Sequence, residues 1–417
     1  MRGLKAAFLL IPLLISCQQD PQEDWVSLFT GTNLEGWTVK GKDATFEVLD
    51  GMVVGTNRGR TNTFLATENR YSDFILELEV WVDPRMNSGI QFRSNQKESG
   101  RVFGYQAEID PSPRAYSGGI YDEARRDWLY PLSLNPQGQQ AFKNNEWNTY
   151  RIEAYGTAMR VWVNDICTAL LEDNLTAEGF IALQVHGVRT KEEEGRQVKW
   201  RNARLLTTGV NEQLKPVPAH MHMLNLVPGL MTEHEKNQGW EWLIDPSEMD
   251  KEMKPIEGRK QVEGTPADMS FVQGSSGLLY DQRVSRFELS FQYKLDSVGE
   301  CAIGYFTGEP DKKEYQIVVP QKYVRQDSLK RPGALLGKVA PQNLSYAGMG
   351  ERYLRRAGSW NTGMIFVSKD YAEHWMNGFK IIEYAIQDNR GQQIGRVTID
   401  GMSGKANFRN LKIRSLK

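Results

Sequence analysis

The stretch GYQAEID, residues 104–110, sets Gln106, Glu108 and Asp110 at alternate positions, with Tyr105, Ala107 and Ile109 between them. In an extended strand this puts an amide and two carboxylates on one face and apolar side chains on the other. NSGIQFR (87–93) has the same parity: Asn87, Gln91 and Arg93 share a face, and Ile90 and Phe92 turn away. In IALQVHG (181–187), Gln184 and His186 share a face opposite Ile181, Leu183 and Val185. If the three strands lie in one sheet, that sheet has a core side and a polar side. The chemistry offered is proton transfer by Glu108 or Asp110, with Arg93 as the cation for a developing oxyanion. His186 completes the catalytic set. Asn87, Gln91, Gln106 and Gln184 would bind and orient hydroxyl groups. Tyr121 and Glu123 in the Gly-rich SGGIYDEA border the same region, and Trp128 offers a flat face for stacking or packing. Glu108, Asp110 and His186 are also the residue types that hold a divalent metal, but their spacing does not select one. The competing reading is a solvated sheet face, which antiparallel sheets commonly have.

The elements behind these residues occur twice. WNTYRIEAYGTAMRVWVN begins at Trp147 and WNTGMIFVSKDYAEHWMN at Trp360. Trp147 and Trp360 are separated by the same 213 residues as Trp162 and Trp375 (360 − 147 and 375 − 162). FILELEV at Phe74 matches FELSFQY at Phe287, GYQAEI matches EYQIVV through Tyr105 and Tyr315, and WRNARL at Trp200 matches FRNLKI at Phe408. Such order over the whole chain marks a tandem repeat. Each copy reads as short alternating segments separated by turn residues, so the fold class is all-β, two tandem two-sheet sandwiches. MTEHEKNQGW is the exception, a short helix with Thr232 as cap and Glu235 three residues on. The expected organisation is 1–17 signal peptide, 18–208 first domain, 209–229 linker and 230–417 second domain.

The repeat also supplies an internal control. Aligning Tyr105 with Tyr315 sets Glu108 against Val318 and Asp110 against Pro320; His186 meets Met402, and Arg93 meets Phe306. The apolar side is kept in kind and the acid, base and cation set is lost. A merely wet face gives no reason for that, so the site is assigned to the first copy.

The totals narrow the partners. The 417 residues carry 51 basic and 52 acidic side chains, a formal net charge of −1, which gives no support for a nucleic-acid partner. No G-x-G-x-x-G opens a βαβ unit, so no redox cofactor is expected. Arg2 and Lys5 precede AAFLLIPLLIS, an apolar run of signal-peptide length that is too short to span a bilayer. It ends at Leu14-Ile15-Ser16-Cys17, similar to a bacterial lipobox, with Cys17 as the lipidated residue and QQDPQED as a tether. The expected location is a bacterial cell envelope, periplasmic or outer-membrane face, with membrane contact through the lipid. Cys167 and Cys301 are expected as free buried thiols.

The first copy resembles the 3-keto-disaccharide hydrolase family of bacterial proteins through WVSLFTGTNLEGW (25–37), NSGIQFRS (87–94), GYQAEID (104–110), SGGIYDEA (117–124), WNTYRIEA (147–154) and RNARL (201–205). The second resembles a divergent member through LMTEHEKNQGWEWLID (230–245) and RPGALLGKVAP (331–341). The resemblance implies a concanavalin-like sandwich, a carbohydrate substrate and cleavage of glycosides already oxidised at carbon 3. The alternatives are a non-catalytic carbohydrate-binding protein and a glycosidase working on unoxidised sugars with two carboxylates.

Overall fold

A computed structural model describes residues 25–243 and, in the second half, 262–265, 268–271, 276–279, 283–295, 299–307, 313–318, 328–341, 354–386, 394–403 and 406–416. Cys17 and its signal segment lie outside the described residues. Among the described residues no helix is long and apolar enough to cross a membrane.

The first half is a β-sandwich. One sheet runs, edge to edge, through Leu224–Asn225, Ile166–Glu172, Ala158–Val163, Asn148–Tyr155, Phe74–Val82, Gln197–Leu206, Met52–Asn57 and Ala44–Leu49, with Val26–Ser27 also on Gln197–Leu206. The second sheet runs through Asp127–Tyr130, Ile120–Glu123, Val102–Ile109, Ser88–Gln96, Phe180–Val185, Thr63–Thr67 and Trp37–Lys40. Alternation decides which side chains enter the space between them. Leu76, Leu78, Val80, Ile152 and Val161 come from the first sheet; Ile90, Tyr105, Ala107, Ile109, Ile181 and Leu183 from the second, all in one buried cluster. Each large aliphatic side chain buried there stabilises the fold by about 1.5–3 kcal/mol.

Among its described residues the second half repeats the design with an eight-stranded and a four-stranded sheet. Register repeats as well as sequence: Asn148 lies opposite Val80, and Asn361 lies opposite Tyr293. The isolated bridge Tyr71–Gly179 has its counterpart in Val284–Gly395. The repeated Trp-Asn-Thr motif now has a physical role. Asn164 Nδ2 donates to Asn148 Oδ1 at 2.8 Å, as Asn377 Nδ2 does to Asn361 Oδ1. Arg201 lies over the Trp147 ring and Arg409 over the Trp360 ring, each at 4.1 Å. These contacts tie a strand end to the neighbouring turn, so they serve the sandwich in both copies.

The helix Glu233–Asn237 forms with its Thr232–Glu235 capping box. Residues 209–229 are not a loose connector. Leu224–Asn225 extends the first sheet in parallel beside Ile166–Glu172, and Met221, Leu224 and Leu226 are buried. The halves are also hydrogen-bonded to each other: Ser133 Oγ donates to Gly378 O at 2.6 Å, and Arg355 Nη2 donates to Trp128 O at 3.0 Å. Cys167 and Cys301 are buried free thiols.

Candidate active site

The three polar strands are neighbours. Val102–Ile109 pairs with Ser88–Gln96, which pairs with Phe180–Val185. Their outward face forms the floor of a cavity of about 450 Å³. Asn87, Gln106, Glu108, Asp110, Gln184 and His186 line it, as do Tyr121, Glu123 and Trp128 from the adjoining hairpin.

The floor is a directed chain of amides ending on a carboxylate. Gln91 Nε2 and Gln184 Nε2 both donate to Gln106 Oε1, at 2.7 and 3.0 Å. Gln106 Nε2 donates to Glu108 Oε2 at 2.8 Å, and Asn87 Nδ2 donates to Glu108 Oε1 at 2.6 Å. Gln91 is therefore beneath the cavity and not in its wall. Glycine at position 89 makes room for this arrangement, since a Cβ there would lie 2.3 Å from Gln106 Cδ.

Glu108 is only 5% exposed. Burial lifts its carboxyl to about 7; Asn87 opposes this, the charge of Asp110 adds to it, and Arg114 and Gln106 pull it back. It therefore exchanges its proton near neutrality. Asp110 is held differently. Arg114 Nε donates to Asp110 Oδ2 at 2.8 Å, and the Ser112 N–H to Oδ1 at 3.2 Å. The Arg114 guanidinium lies over Tyr116 and Trp128, 5.0 and 5.2 Å from their ring centres. Trp128 also packs edge-on against Tyr116 and Tyr121, so packing and cavity lining coincide in one ring.

His186 Nδ1 lies 2.6 Å from Gly187 O. A carbonyl only accepts, so Nδ1 carries the proton and Nε2 keeps its lone pair. Burial lowers the His186 pKa, which keeps the ring neutral at pH 7. Tyr121 O–H donates to Asp127 Oδ1 at 2.9 Å, and burial holds the phenol protonated. Burial also raises the Glu123 carboxyl, with Arg101 the nearest cation at 3.8 Å. Among the described residues no three His, Cys, Asp or Glu side chains are grouped so as to hold a metal ion. Glu108, Asp110 and His186 share a cavity without forming a ligand set.

Arg93 corrects the parity reading. Its φ is +44°, and the pairing with Val102–Ile109 slips between Phe92 and Asn95. This bulge turns its side chain out of alternation. The guanidinium is 1% exposed and donates to Ser72 O, Gly156 O and Asp73 Oδ1 at 2.7, 2.8 and 3.0 Å. It fastens two loops and does not enter the cavity. Phe306, its counterpart, has φ +55° and is buried against Phe287 and Tyr305. The exchange of Arg for Phe is thus structural.

The ladders also move the internal control by two residues. Ile90 lies opposite Ala107, whereas Ile303 lies opposite Tyr315. Tyr315 therefore matches Ala107, not Tyr105, and Glu108 corresponds to Gln316 while Asp110 corresponds to Val318. The contrast survives in sharper form: an amide stands where the first copy has its carboxylate.

The residues missed in the sequence lie on loops. Arg114, Asn62 and Arg189 line the cavity. Arg114 follows Asp110 by four positions in DPSPR, and the two prolines there were the available sign of a fixed loop. Asn62 Oδ1 accepts from the Gly187 N–H at 3.0 Å, steadying the segment that carries His186.

Residues 24–206 and 233–414 each match the model of a family described as 3-keto-alpha-glucoside-1,2-lyase-like domain. No curated protein matches the chain. Among solved structures, the chain is similar to a candidate glycosyl hydrolase from Parabacteroides distasonis ATCC 8503, at 17% identity and TM-score 0.39, over 46% of this chain and 100% of that one. It is also similar to the carbohydrate-binding module CBM66 from Bacillus subtilis, at 17% identity and TM-score 0.31, over 41% of this chain and 95% of that one. The family description supports a carbohydrate-related function.

Proposed function

The chain belongs to the 3-keto-alpha-glucoside-1,2-lyase-like family, in two copies, and on that premise we propose that its first half cleaves glycosides carrying a ketone at carbon 3. The ketone acidifies the proton on carbon 2. Glu108 takes that proton, and the electron pair moves into an enediolate whose oxygen meets the positive Arg114. The pair then returns to make the carbon 1–carbon 2 bond double, and the bond from carbon 1 to the aglycone breaks with its electron pair leaving on the aglycone oxygen. Glu123, whose carboxyl burial keeps protonated above the ordinary range, gives that oxygen its proton. Water adding to the unsaturated sugar would convert the elimination into net hydrolysis. Asn87, Gln106 and Gln184 orient hydroxyls, and the neutral His186 offers Nε2 as an acceptor.

One observation carries this reading. Glu108 is a buried carboxylate at the floor of a polar cavity, lifted to about 7 and aimed by two amide donors. Those are the requirements for a general base near neutral pH. The second half, with Gln316 at the matching position, would be a non-catalytic partner. We propose further that Cys17 is lipidated and holds the protein at a bacterial cell envelope.

The test is release of sugar from 3-keto-disaccharides and from simple unoxidised glycosides by the purified protein. Release from the oxidised substrates alone supports the reading. Tight glycan binding with no release from any 3-keto substrate would replace it with a binding function.

A further inference from the structure

A second cavity, about 420 Å³, opens where the two halves meet, lined by Arg101, Arg125, Arg126, Arg355 and Arg356 with Asp127 and Ser359 among them. The nearby carboxylates are already engaged. Asp122, fully buried, accepts Arg125 Nε at 2.7 Å on one oxygen and Arg126 Nε at 2.5 Å on the other. Asp173 accepts from Arg126 and from the Tyr105 hydroxyl. Asp127 accepts from Tyr121, and Glu123 stands 3.8 Å from Arg101.

Guanidinium capacity remains after these pairs. Arg125 Nη2 is buried and has no hydrogen-bond partner. Among the described residues Arg355 donates to the carbonyls of Arg126, Trp128 and Trp360, at 3.1, 3.0 and 2.8 Å. Arg356 is exposed at the mouth. Burial and, after it, the neighbouring Arg126 push the Arg355 pKa down to about 10, against the opposing pull of Asp122, Asp173 and Asp127. A buried unpartnered N–H of an arginine calls for an acceptor, and a fork of guanidiniums suits the oxygens of one anionic group.

We propose that this cavity binds an oxyanion, a sulfate, phosphate or carboxylate group, held jointly by Arg125 of the first half and Arg355 and Arg356 of the second. The bound group would join the halves across their seam. It would also sit behind the hairpin whose Tyr121, Glu123 and Trp128 line the other cavity. The site does not depend on the catalytic reading above.

The experiment uses the full chain. Thermal unfolding and titration calorimetry are run with inorganic sulfate, inorganic phosphate, glucuronate and a sugar sulfate, against chloride at equal ionic strength and neutral glucose. The expected result is saturable binding and a saturable rise in melting temperature with at least one oxyanion. Arg356→Glu should weaken binding by about tenfold or more, and Arg101→Gln should weaken it less. Both positions are solvent-exposed, so folding should be kept. Binding of the inorganic ions marks a free anion as sufficient; binding of glucuronate or the sugar sulfate alone marks an acidic saccharide as the source. Stabilisation that never saturates, or that is equal in Arg356→Glu and the unaltered protein, would overturn the proposal.

Discussion

The Asn87 amide nitrogen donates to Glu108 Oε1 across 2.6 Å, linking the end of one strand to the floor of the next. That bond opposes the effect of burial on the Glu108 carboxyl, whose pKa is lifted to about 7. Activity that uses Glu108 as a base and Glu123 as an acid should therefore be bell-shaped in pH, its rising limb following the Glu108 carboxyl at about 7 and its falling limb the loss of the Glu123 proton. Asn87→Ala removes a donor to the charged form, so the rise should move to higher pH. A profile of kcat/KM against pH for both proteins checks this; an unmoved inflection would detach Asn87 from the base.

Glu108→Gln should reduce kcat by about 10²–10⁴-fold, the range for a lost general base. It should also alter stability with a definite sign. The folded-state value of about 7 lies above the ordinary 4.5, so folding penalises the charged form. Stability is then full below pH 4.5 and falls as pH rises toward 7, by about 3 kcal/mol. The variant escapes that loss. Its melting temperature relative to the unaltered protein should be higher on the alkaline side than on the acid side.

Arg93 and Arg114 should separate cleanly. Arg93→Met leaves Ser72 O and Gly156 O without their donor and should cost about 3 kcal/mol of stability, with activity per folded molecule retained. Arg114→Gln leaves the buried Asp110 only its bond from the Ser112 N–H, so it too should cost stability, and it is set apart by its effect on activity. It should lower kcat by about 10²-fold and shift the pH profile upward, because Arg114 lowers the Glu108 pKa. Denaturant melts paired with kinetics decide both.

Gly89→Ala should be disproportionately harmful. Its Cβ would meet Gln106 Cδ at 2.3 Å and force the amide chain away from Glu108. Overpacking of this kind costs about 1–3 kcal/mol. The larger effect should be on kcat, with the pH profile displaced to higher values.

Much of this was legible in the sequence because period-two alternation is a strong local signal. It placed Gln106, Glu108 and Asp110 on one face and Tyr105, Ala107 and Ile109 in the core; that the three polar strands are neighbours came from the ladders and not from alternation. The repeat gave the double sandwich. Alternation failed at Arg93, where one residue with positive φ reverses the faces and leaves no mark in composition. It also could not see Arg114 or Asn62, because loops have no period. Tyr315 lies two residues in register from the place its match with Tyr105 gives it, a slip that preserves parity and so stays invisible to face alternation.

The central claim is that bond cleavage begins with removal of the carbon 2 proton by Glu108. The most direct measurement compares cleavage of a 3-keto-disaccharide with that of the same compound carrying deuterium at carbon 2. The account predicts slower cleavage of the deuterated substrate, turnover largely lost in Glu108→Gln, and no cleavage of the unoxidised parent. Equal rates for the two isotopic forms, together with cleavage of the unoxidised parent, would contradict it.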